Sequence, residues 1–383
     1  NAPWFRLLSQ QANITVKVFY TWSQSAHGAK YDPGFGKVVD WDIPLLDGYD
    51  YMFVNNVATH PGSHHRNGID NPTLNADITR WKPDAILVIG WSYKSHFSCM
   101  RYFKDKVPVL FRGDSTLLDE QPGIRRKFRR IALNYVYSFV DYALYVGANN
   151  KNYFLAHGLK EHQLIFAPHA IDNDRFASDG TTYIAEAMEW RKKLGIKAGD
   201  FVVLYAAKLE PKKDPGFMLK LAAAMPAENI KFVLVGNGEL EKELKEMAQN
   251  DKRIIFIDFQ NQGIMPVVYR LGDIFVLPSK GPEETWGLAV NEAMACGLPV
   301  IVSNKAGCAI DLVSDRNGII IAPGDTEACK EYIESLLNDL SKLMEAGRAS
   351  KQQIADYSFA GIVKGIGQAI TNIKRRDIKT AIS

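Results

Sequence analysis

This chain of 383 residues has few cysteines, no long apolar run and little excess charge. Its four cysteines (Cys99, Cys296, Cys308 and Cys329) lack metal-site spacing, so we expect small core residues in a reducing compartment. No apolar run approaches the ~20 residues of a membrane-spanning helix. A formal net charge of +3 argues against general nucleic-acid binding. There is also no internal repeat of the length that solenoids and propellers need.

The sequence does contain a regular alternation of apolar, strand-like runs and amphipathic segments. Such alternation is typical of parallel sheets with helices on both faces. Together with the length, it predicts an α/β protein of two doubly wound domains. The predicted strands are residues 14–20, 51–54, 85–89, 107–111 and 142–146 in the first half, and 201–206, 231–235, 253–257, 273–277, 299–302 and 318–321 in the second.

The most informative segment, residues 281–300, contains Glu284 and Glu292. The pattern predicts a loop after a buried strand and then a helix over 288–296. A loop that enters a helix offers backbone N–H groups and the positive end of the helix dipole, which suit an anion. Gly287 lets the anion come close to that backbone.

The two glutamates would repel an anion, so they suit a neutral ligand that is rich in hydroxyl groups. Even on a single helix they would lie about 12 Å apart along the axis, so they would hold different parts of an extended ligand. Hydroxyl groups at both ends of a diphosphate describe a nucleotide-sugar. The alternative, which explains either acid alone, is that Glu284 caps the helix and Glu292 lies on a solvated face.

This segment resembles the retaining glycosyltransferases of family 4, in which Glu, seven residues and Glu precede Ala-Met-Ala-x-Gly-x-Pro-Val. The chain has the pattern in full, with Trp286 where Phe is usual. The resemblance implies the GT-B fold: two facing Rossmann-like, doubly wound parallel-sheet domains, with a C-terminal helix crossing back to the first. The implied domains are 1–170 for the acceptor, 171–356 for the nucleotide-sugar, and the helix 357–383 packing on the first domain.

The family opens with a hydrophobic strand, a loop and a helix. Here residues 2–8 already resemble that helix, so we expect the opening strand to lie before residue 1. Two further stretches, 32–36 and 41–49, resemble a subgroup of the family without indicating one acceptor.

The resemblance also implies which residues bind the donor. Glu284 would hold the sugar hydroxyls together with the N–H groups of Gly287 and Leu288, beside Trp286, and Glu292 would hold the ribose. The loop with Gly236 and Asn237 would lie beside the nucleotide, although a simple turn explains its glycines equally well. Phe259 and Gln260 would be neighbours of the base.

Two cations follow the first strand of the second domain. By resemblance, Lys208 takes the place of the family's arginine and Lys213 that of its lysine, where both would neutralise charge on the departing diphosphate. Lys208 cannot make the bidentate contact of an arginine. The alternative for each is a solvated loop charge. We find no Asp-x-Asp pair in a loop placed to meet the diphosphate, so we expect no required metal and no cofactor beyond the nucleotide-sugar substrate.

In the first domain, Asp114 follows a predicted strand at a point where many family members carry a histidine. It could orient a hydroxyl of the acceptor or the sugar, or it could merely cap the next helix.

A cluster of basic residues precedes an apolar stripe further along the first domain. These residues could rest on an anionic membrane surface, and the alternative is a helix with one charged face and one core face. We therefore expect a cytoplasmic protein that can be peripheral at the inner face of the membrane. The basic residues are Arg125, Arg126, Lys127, Arg129 and Arg130.

These patterns predict a retaining glycosyltransferase that moves a sugar from a UDP- or GDP-linked donor to a hydroxyl of a sugar or lipid-linked acceptor, in cell-surface polysaccharide or glycolipid synthesis. By resemblance, a phosphate oxygen takes the acceptor proton, so no protein general base is needed. Two alternatives remain: an epimerase or phosphorylase of the same architecture, and a catalytically silent carbohydrate-binding relative. The two glutamates and Lys213 favour transfer.

Overall fold

A computed structural model of the chain describes residues 1–22, 30–32, 35–178 and 181–382, without the side chains of 30, 31, 181 and 376–382. The chain forms two compact units. The first comprises Asn1–Gly28, Pro44–His169 and Phe359–Ser383, and the second comprises Ala29–Ile43 and Ala170–Ser358. The sequence placed all of 1–170 in one domain, whereas the described residues 30–32 and 35–43 belong to the second unit. In the stretch 32–36, residues 33 and 34 lie outside the described part.

The elements of the described residues are as follows. The strands are β1 (Lys17–Tyr20), β2 (Lys30–Asp32), β3 (Lys37–Val39), β4 (Asp50–Phe53), β5 (Ile86–Ile89), β6 (Val109–Arg112), β7 (Tyr142–Tyr145), β8 (Leu164–Phe166), β9 (Phe201–Ala206), β10 (Ile230–Val235), β11 (Ile254–Ile257), β12 (Ile274–Leu277), β13 (Val300–Ser303) and β14 (Gly318–Ile321). The helices are α1 (Ala2–Ser9), α2 (Leu74–Trp81), α3 (Lys94–Phe103), α4 (Ile124–Tyr137), α5 (Ala148–Ala156), α6 (Asn173–Ala177), α7 (Thr181–Lys193), α8 (Gly216–Ala224), α9 (Glu241–Ala248), α10 (Met265–Tyr269), α11 (Leu288–Ala295), α12 (Ala309–Leu312), α13 (Thr326–Leu337), α14 (Leu340–Ile354) and α15 (Phe359–Ile382).

The second unit is built on one parallel sheet in the order β11-β10-β9-β12-β13-β14. Strands β9, β12 and β13 are buried throughout, which explains their nearly continuous apolar sequences. The strand order reverses between β9 and β12, and open α/β sheets bind ligands at such a switch point, beyond the carboxyl ends of the strands. The loops after β9 and β12 are therefore where a ligand is expected.

The first unit has a four-stranded parallel sheet in the order β5-β6-β7-β8 and a separate parallel pair of β1 and β4. Each strand predicted from the sequence is present. The sequence missed β2, β3 and β8, which have three residues each and are too short to show a period. Among the four cysteines, Cys99, Cys308 and Cys329 are buried and Cys296 is partly buried, all as free thiols.

Helix α15, from the end of the chain, belongs to the first unit and packs against α1, β7 and β8. A Cβ atom at Gly365 would lie 2.4 Å from the carbonyl oxygen of Phe166, so a glycine is needed for the helix to approach β8. This contact explains why a long helix keeps a residue of poor helix propensity. Two parallel-sheet α/β units with a returning C-terminal helix confirm the predicted fold class.

Candidate active site

The switch point of the second unit brings together two residues that the sequence predicted from separate loops. Lys213 lies in the 3₁₀ turn Pro211–Lys213 after β9, and Glu284 lies in the loop after β12. The Nζ of Lys213 forms an ion pair with Oε2 of Glu284, and the hydroxyl of Ser279 donates to the same oxygen at 3.0 Å. Both charged side chains are mostly buried. A buried cation and carboxylate thus lie at the place where the fold is expected to bind a ligand.

The Glu284 carboxylate also lies close to the start of α11. A Cβ built at Gly287, the N-cap of α11, would be 3.8 Å from Oε1 of Glu284, so this oxygen lies near the start of the helix while Oε2 pairs with Lys213. The first N–H groups of a helix have no intrahelical acceptor. Leu288, the first residue of α11, is exposed. One cation, one carboxylate oxygen and the helix N-terminus therefore share a small region.

The glycine at position 287 is required by the protein itself. Its φ of 104° lies in the left-handed region, and a Cβ would be 2.9 Å from Cδ2 of Leu277. Close approach of an anion was the reason inferred from the sequence, but backbone conformation and packing are sufficient reasons.

Trp286 lies in the interior of the second unit. Its side chain is buried, its indole N–H donates to Oδ1 of Asn291 at 2.8 Å, and its ring centroid is 6.0 Å from that of Tyr357. The predicted donor contact of Trp286 could therefore come only from its backbone, because packing turns the side chain inwards.

Glu292 lies in a different surrounding from Glu284. The hydroxyl of Tyr269 donates to Oε2 of Glu292 at 2.7 Å. Burial raises the pKa of Glu292 to about 7, against the opposing effects of the Tyr269 hydrogen bond, the Arg175 charge and a Gln262 hydrogen bond. The guanidinium of Arg175 also donates to Oε1 of Gln262 at 3.2 Å. The sequence did not single out Arg175, which belongs to α6 and is distant from Glu292 along the chain.

Asn237 joins the loops after β10 and β11. Its Nδ2 donates to Glu241 at 2.7 Å and to Asp258 at 3.2 Å, and its Oδ1 accepts from the N–H of Phe259 at 2.7 Å. The side chain of Gln260 donates to the carbonyl of Asp258 at 2.9 Å. The buried Asn237 side chain is thus engaged in fixing the backbone before Phe259, and it would affect a nucleotide by positioning that loop.

The Gly-x-Gly sequence around Asn237 has a packing explanation. Gly236 has a φ of 136°, and a Cβ there would lie 2.2 Å from the carbonyl oxygen of Ala207. A Cβ at Gly238 would lie 2.4 Å from the carbonyl oxygen of Leu209. Both glycines permit close contact with the loop after β9, so they are not evidence of a bound nucleotide.

The β2–β3 hairpin, residues 30–32 and 35–39 of the described chain, is antiparallel and packs within the second unit. The carboxylate of Asp32 lies 2.9 Å from Nζ of Lys208, and the ring centroids of Phe35 and Phe259 are 4.5 Å apart. Lys208, predicted to meet the diphosphate, therefore already contacts a carboxylate. This contact could not be predicted from the sequence, because it joins residues 176 positions apart.

In the first unit, Asp114 lies next to a histidine. Its Oδ2 is 3.5 Å from Nε2 of His169, and burial lowers the pKa of His169. Arg112 donates to the carbonyl oxygens of Ala167 and Pro168 at 2.6 and 2.8 Å, which fixes the backbone before His169. The alternative role of Asp114 as a helix cap is wrong, since the next helix, α4, starts ten residues later with Gly123 as its N-cap. His169 was not among the site residues predicted from the sequence.

Two features are absent from the described part of the chain. No group of three or more His, Cys, Asp or Glu side chains is arranged to hold a metal ion. None of the described helices is long and apolar enough to span a membrane.

Part of the second unit is similar to a known protein family. Residues 186–353 match the family described as "Glycosyl transferases group 1". This segment, which is similar to that family of glycosyltransferases, includes Lys213, Glu284 and Glu292.

Individual relatives match less than half of the chain. The UDP-Gal:alpha-D-GlcNAc-diphosphoundecaprenol alpha-1,3-galactosyltransferase of Escherichia coli is 31% identical over 186 residues, which are 46% of this chain and 44% of that protein. The D-inositol 3-phosphate glycosyltransferase of Corynebacterium glutamicum (strain R) is 27% identical over 181 residues, 44% of this chain and 43% of that protein. The chain thus spans less than half the length of these relatives.

The fold extends the similarity to most of the chain. The crystal structure of Anabaena HepE in complex with UDP has a TM-score of 0.68 and 18% identity, over 85% of this chain and 87% of that one. At this identity the similarity establishes the fold alone, which is GT-B.

Proposed function

We propose that this chain is a retaining glycosyltransferase of family 4, which moves a sugar from a nucleotide-sugar to an acceptor hydroxyl. The observation that carries the proposal is the Lys213–Glu284 pair, at the switch point and beside the N-terminus of α11. A cation and a helix N-terminus stabilise negative charge that develops on a departing diphosphate. A carboxylate beside them accepts hydrogen bonds from sugar hydroxyls.

The donor is a UDP-sugar in this proposal, with a GDP-sugar as the second choice. HepE was crystallised with UDP, and the name of the Escherichia coli relative contains UDP-Gal. Glu292 would hold the ribose, while Phe259 and Gln260 would border the base. Lys208 would meet the diphosphate after leaving Asp32.

The acceptor is a hydroxyl group on a sugar or on a lipid-linked saccharide. The Escherichia coli relative is named for an acceptor carried on diphosphoundecaprenol, which supports a lipid-linked acceptor. The reaction would then serve cell-surface polysaccharide or glycolipid synthesis, in the cytoplasm at the inner face of the membrane. The first unit, which comprises Asn1–Gly28, Pro44–His169 and Phe359–Ser383, would bind the acceptor, and Asp114 would orient it with His169.

In the proposed reaction the acceptor attacks the face of the sugar from which the diphosphate departs. A phosphate oxygen takes the acceptor proton, so neither a protein base nor a metal ion is required. Lys213 would stabilise the charge that this step leaves on the diphosphate.

A thermal-shift screen with nucleotide-sugars and free nucleotides tests this proposal, because a ligand that binds only the native state raises the melting temperature. NMR of the product from the best donor then shows the anomeric configuration. We expect a UDP-sugar to stabilise the chain and to give a product with the donor's configuration. Lys213→Ala should lose turnover, whereas the control Lys212→Ala, in the same turn and paired with Glu210 at 3.5 Å, should not.

Other outcomes would contradict the proposal in different ways. Absence of nucleotide-sugar binding would overturn the donor site. An inverted product would overturn retention, and inversion of a sugar centre without an acceptor would identify an epimerase. Binding without turnover across an acceptor panel would identify a silent relative.

A further inference from the structure

Helix α4, residues Ile124–Tyr137 of the first unit, carries an apolar stripe on its exposed side. The exposed fractions of its four members are 67% for Ile124, 66% for Phe128, 68% for Ile131 and 54% for Tyr135. Their spacing places all four within about 60° of the helix circumference and over about 17 Å of its length. We call these four residues the α4 stripe. Single exposed apolar residues are common, but an aligned set of four marks an interaction surface.

The α4 stripe does not face the core of the first unit. Leu133, Val136 and Tyr137 of the same helix are buried and make the contact with that core. The alternative reading of the sequence, one charged face and one core face, accounts for these three residues. It does not account for a second apolar face on the solvent side.

Cations flank the α4 stripe. Arg125, Lys127 and Arg129 are exposed, whereas Arg126 is partly buried and Arg130 forms an ion pair with Glu120 at 3.1 Å. By helical geometry, Arg125 lies on one side of the stripe and Lys127 on the other. The helix itself contains no acidic residue.

The same surface continues onto the neighbouring helix. The ring of Tyr135 lies 6.4 Å from that of Phe97, and the guanidinium groups of Arg66 and Arg101 lie over Phe97 at 5.1 and 5.9 Å. Both arginines are exposed. Positive charge therefore surrounds the apolar stripe on more than one element.

We propose that α4 lies in the interface of an anionic lipid bilayer, with the α4 stripe among the upper acyl chains and Arg125, Lys127 and Arg129 at the lipid phosphates. Interfacial helices combine an apolar face with flanking basic residues in this way. With 14 residues, α4 is too short to span a bilayer. A second copy of the chain is a poorer partner, because a symmetric contact through the stripe would bring two sets of cations together.

This surface goes beyond the proposed reaction, since lipid binding is measured without donor, acceptor or turnover. The test is sedimentation of the whole chain with vesicles of phosphatidylcholine, with and without phosphatidylglycerol, at low and high salt. We expect binding to the anionic vesicles that weakens with salt. Phe128→Ser/Ile131→Ser should bind at least ~10-fold more weakly, and Arg125→Gln/Lys127→Gln/Arg129→Gln should lose the preference for anionic lipid.

A matched control separates the α4 stripe from exposed apolar residues in general. Leu340 and Met344 on α14 of the second unit have exposed fractions of 66% and 63% and are also four positions apart. Leu340→Ser/Met344→Ser should bind vesicles like the unchanged protein. Circular dichroism and the melting temperature show whether each variant is folded.

Three results would overturn the inference. The unchanged protein could stay in the supernatant with anionic vesicles at low salt. The folded Phe128→Ser/Ile131→Ser variant could sediment as well as the unchanged protein. Alternatively, the unchanged protein could form dimers without lipid that this variant abolishes, which would assign the α4 stripe to self-association.

Discussion

At the scale of single residues, the two glutamates of the site differ in what surrounds them. Glu284 is paired with the cation Lys213, whereas Glu292 accepts a hydrogen bond from the neutral hydroxyl of Tyr269. Burial raises the pKa of Glu292 to about 7, against the opposing effects of the Tyr269 hydrogen bond and the Arg175 charge. We therefore expect the carboxyl group of Glu292 to change its protonation state near neutral pH.

Substitution of Glu284 should affect turnover and stability together. In Glu284→Gln we expect turnover to fall by roughly 10²–10³-fold, the loss typical of one transition-state contact, with little change in nucleotide affinity. The unfolding free energy should fall by about 1–3 kcal/mol, because the mostly buried Lys213 loses its counter-charge. Initial rates, calorimetric titration with nucleoside diphosphate and urea unfolding measure these three effects.

Ser279→Ala is the control that distinguishes loss of the ion pair from loss of a neighbouring hydrogen bond. It removes one hydrogen bond to Oε2 of Glu284 and leaves the ion pair in place. Its stability cost should be about 1 kcal/mol. Normal turnover in Glu284→Gln would refute the assigned role.

Glu292 should make stability depend on pH. Its pKa is raised to about 7 by burial, so between about pH 4.5 and 7 the native state holds a proton that the unfolded state has released. The unfolding free energy should therefore fall as pH rises through this window. Urea unfolding at pH 5 and pH 8 should show a larger loss for the unchanged protein than for Glu292→Gln.

The same residue should make nucleotide binding depend on pH in the opposite direction. If Glu292 accepts hydrogen bonds from the ribose, affinity for a nucleoside diphosphate should rise as pH increases through about 7. The nucleotide's own phosphate also titrates, and the Glu292→Gln variant shows how much of the rise comes from that titration. The rise in affinity should be smaller in this variant than in the unchanged protein. Equal pH profiles of affinity for the two proteins would mean that Glu292 does not contact the nucleotide.

At the scale of elements, the β2–β3 hairpin determines which charged group Lys208 contacts. Its Asp32 contacts that lysine at 2.9 Å, in the position relative to the cation that a phosphate oxygen would need. A nucleotide that binds Lys208 must displace this carboxylate. In Asp32→Asn we therefore expect affinity for a nucleoside diphosphate to rise by roughly 3–10-fold, measured by titration calorimetry at low salt.

Lys37→Gln provides a control on the same hairpin. Lys37 pairs with Asp258 at 3.1 Å, and both side chains are exposed, so this ion pair contributes little. Its loss should leave nucleotide affinity nearly unchanged. A fall in affinity in Asp32→Asn would mean that Asp32 supports the site instead of competing for it.

Prediction from the sequence succeeded where the signal is local. Apolar runs located the strands, and the pattern in residues 281–300 located α11. Family patterns singled out Lys213 and Glu284, although their contact across 71 positions was visible only in the fold. Asp32 and His169 were missed as partners, because nothing in their own neighbourhoods indicates which distant side chain they meet.

At the scale of the whole molecule, the distribution of ligating residues bears on metal dependence. The described part of the chain contains no cluster of three or more metal-binding side chains, and the proposed reaction assigns the charge on the departing diphosphate to Lys213. We expect turnover to be unchanged within about twofold after EDTA treatment and dialysis, since Lys213 and the start of α11 supply the positive charge. Activity that is lost with EDTA and restored by a divalent ion would contradict this expectation.

The hairpin also restricts how this gene can recombine. Residues 29–43 lie far upstream of the other residues of their unit, so a crossover near codon 170 would inherit Lys208, Phe259 and Gly263 without Asp32, Phe35 and Asp42. A functional chimera with a relative would need to inherit both pieces from one parent. In a family with this arrangement, the two stretches should descend together, although more than a hundred codons separate them.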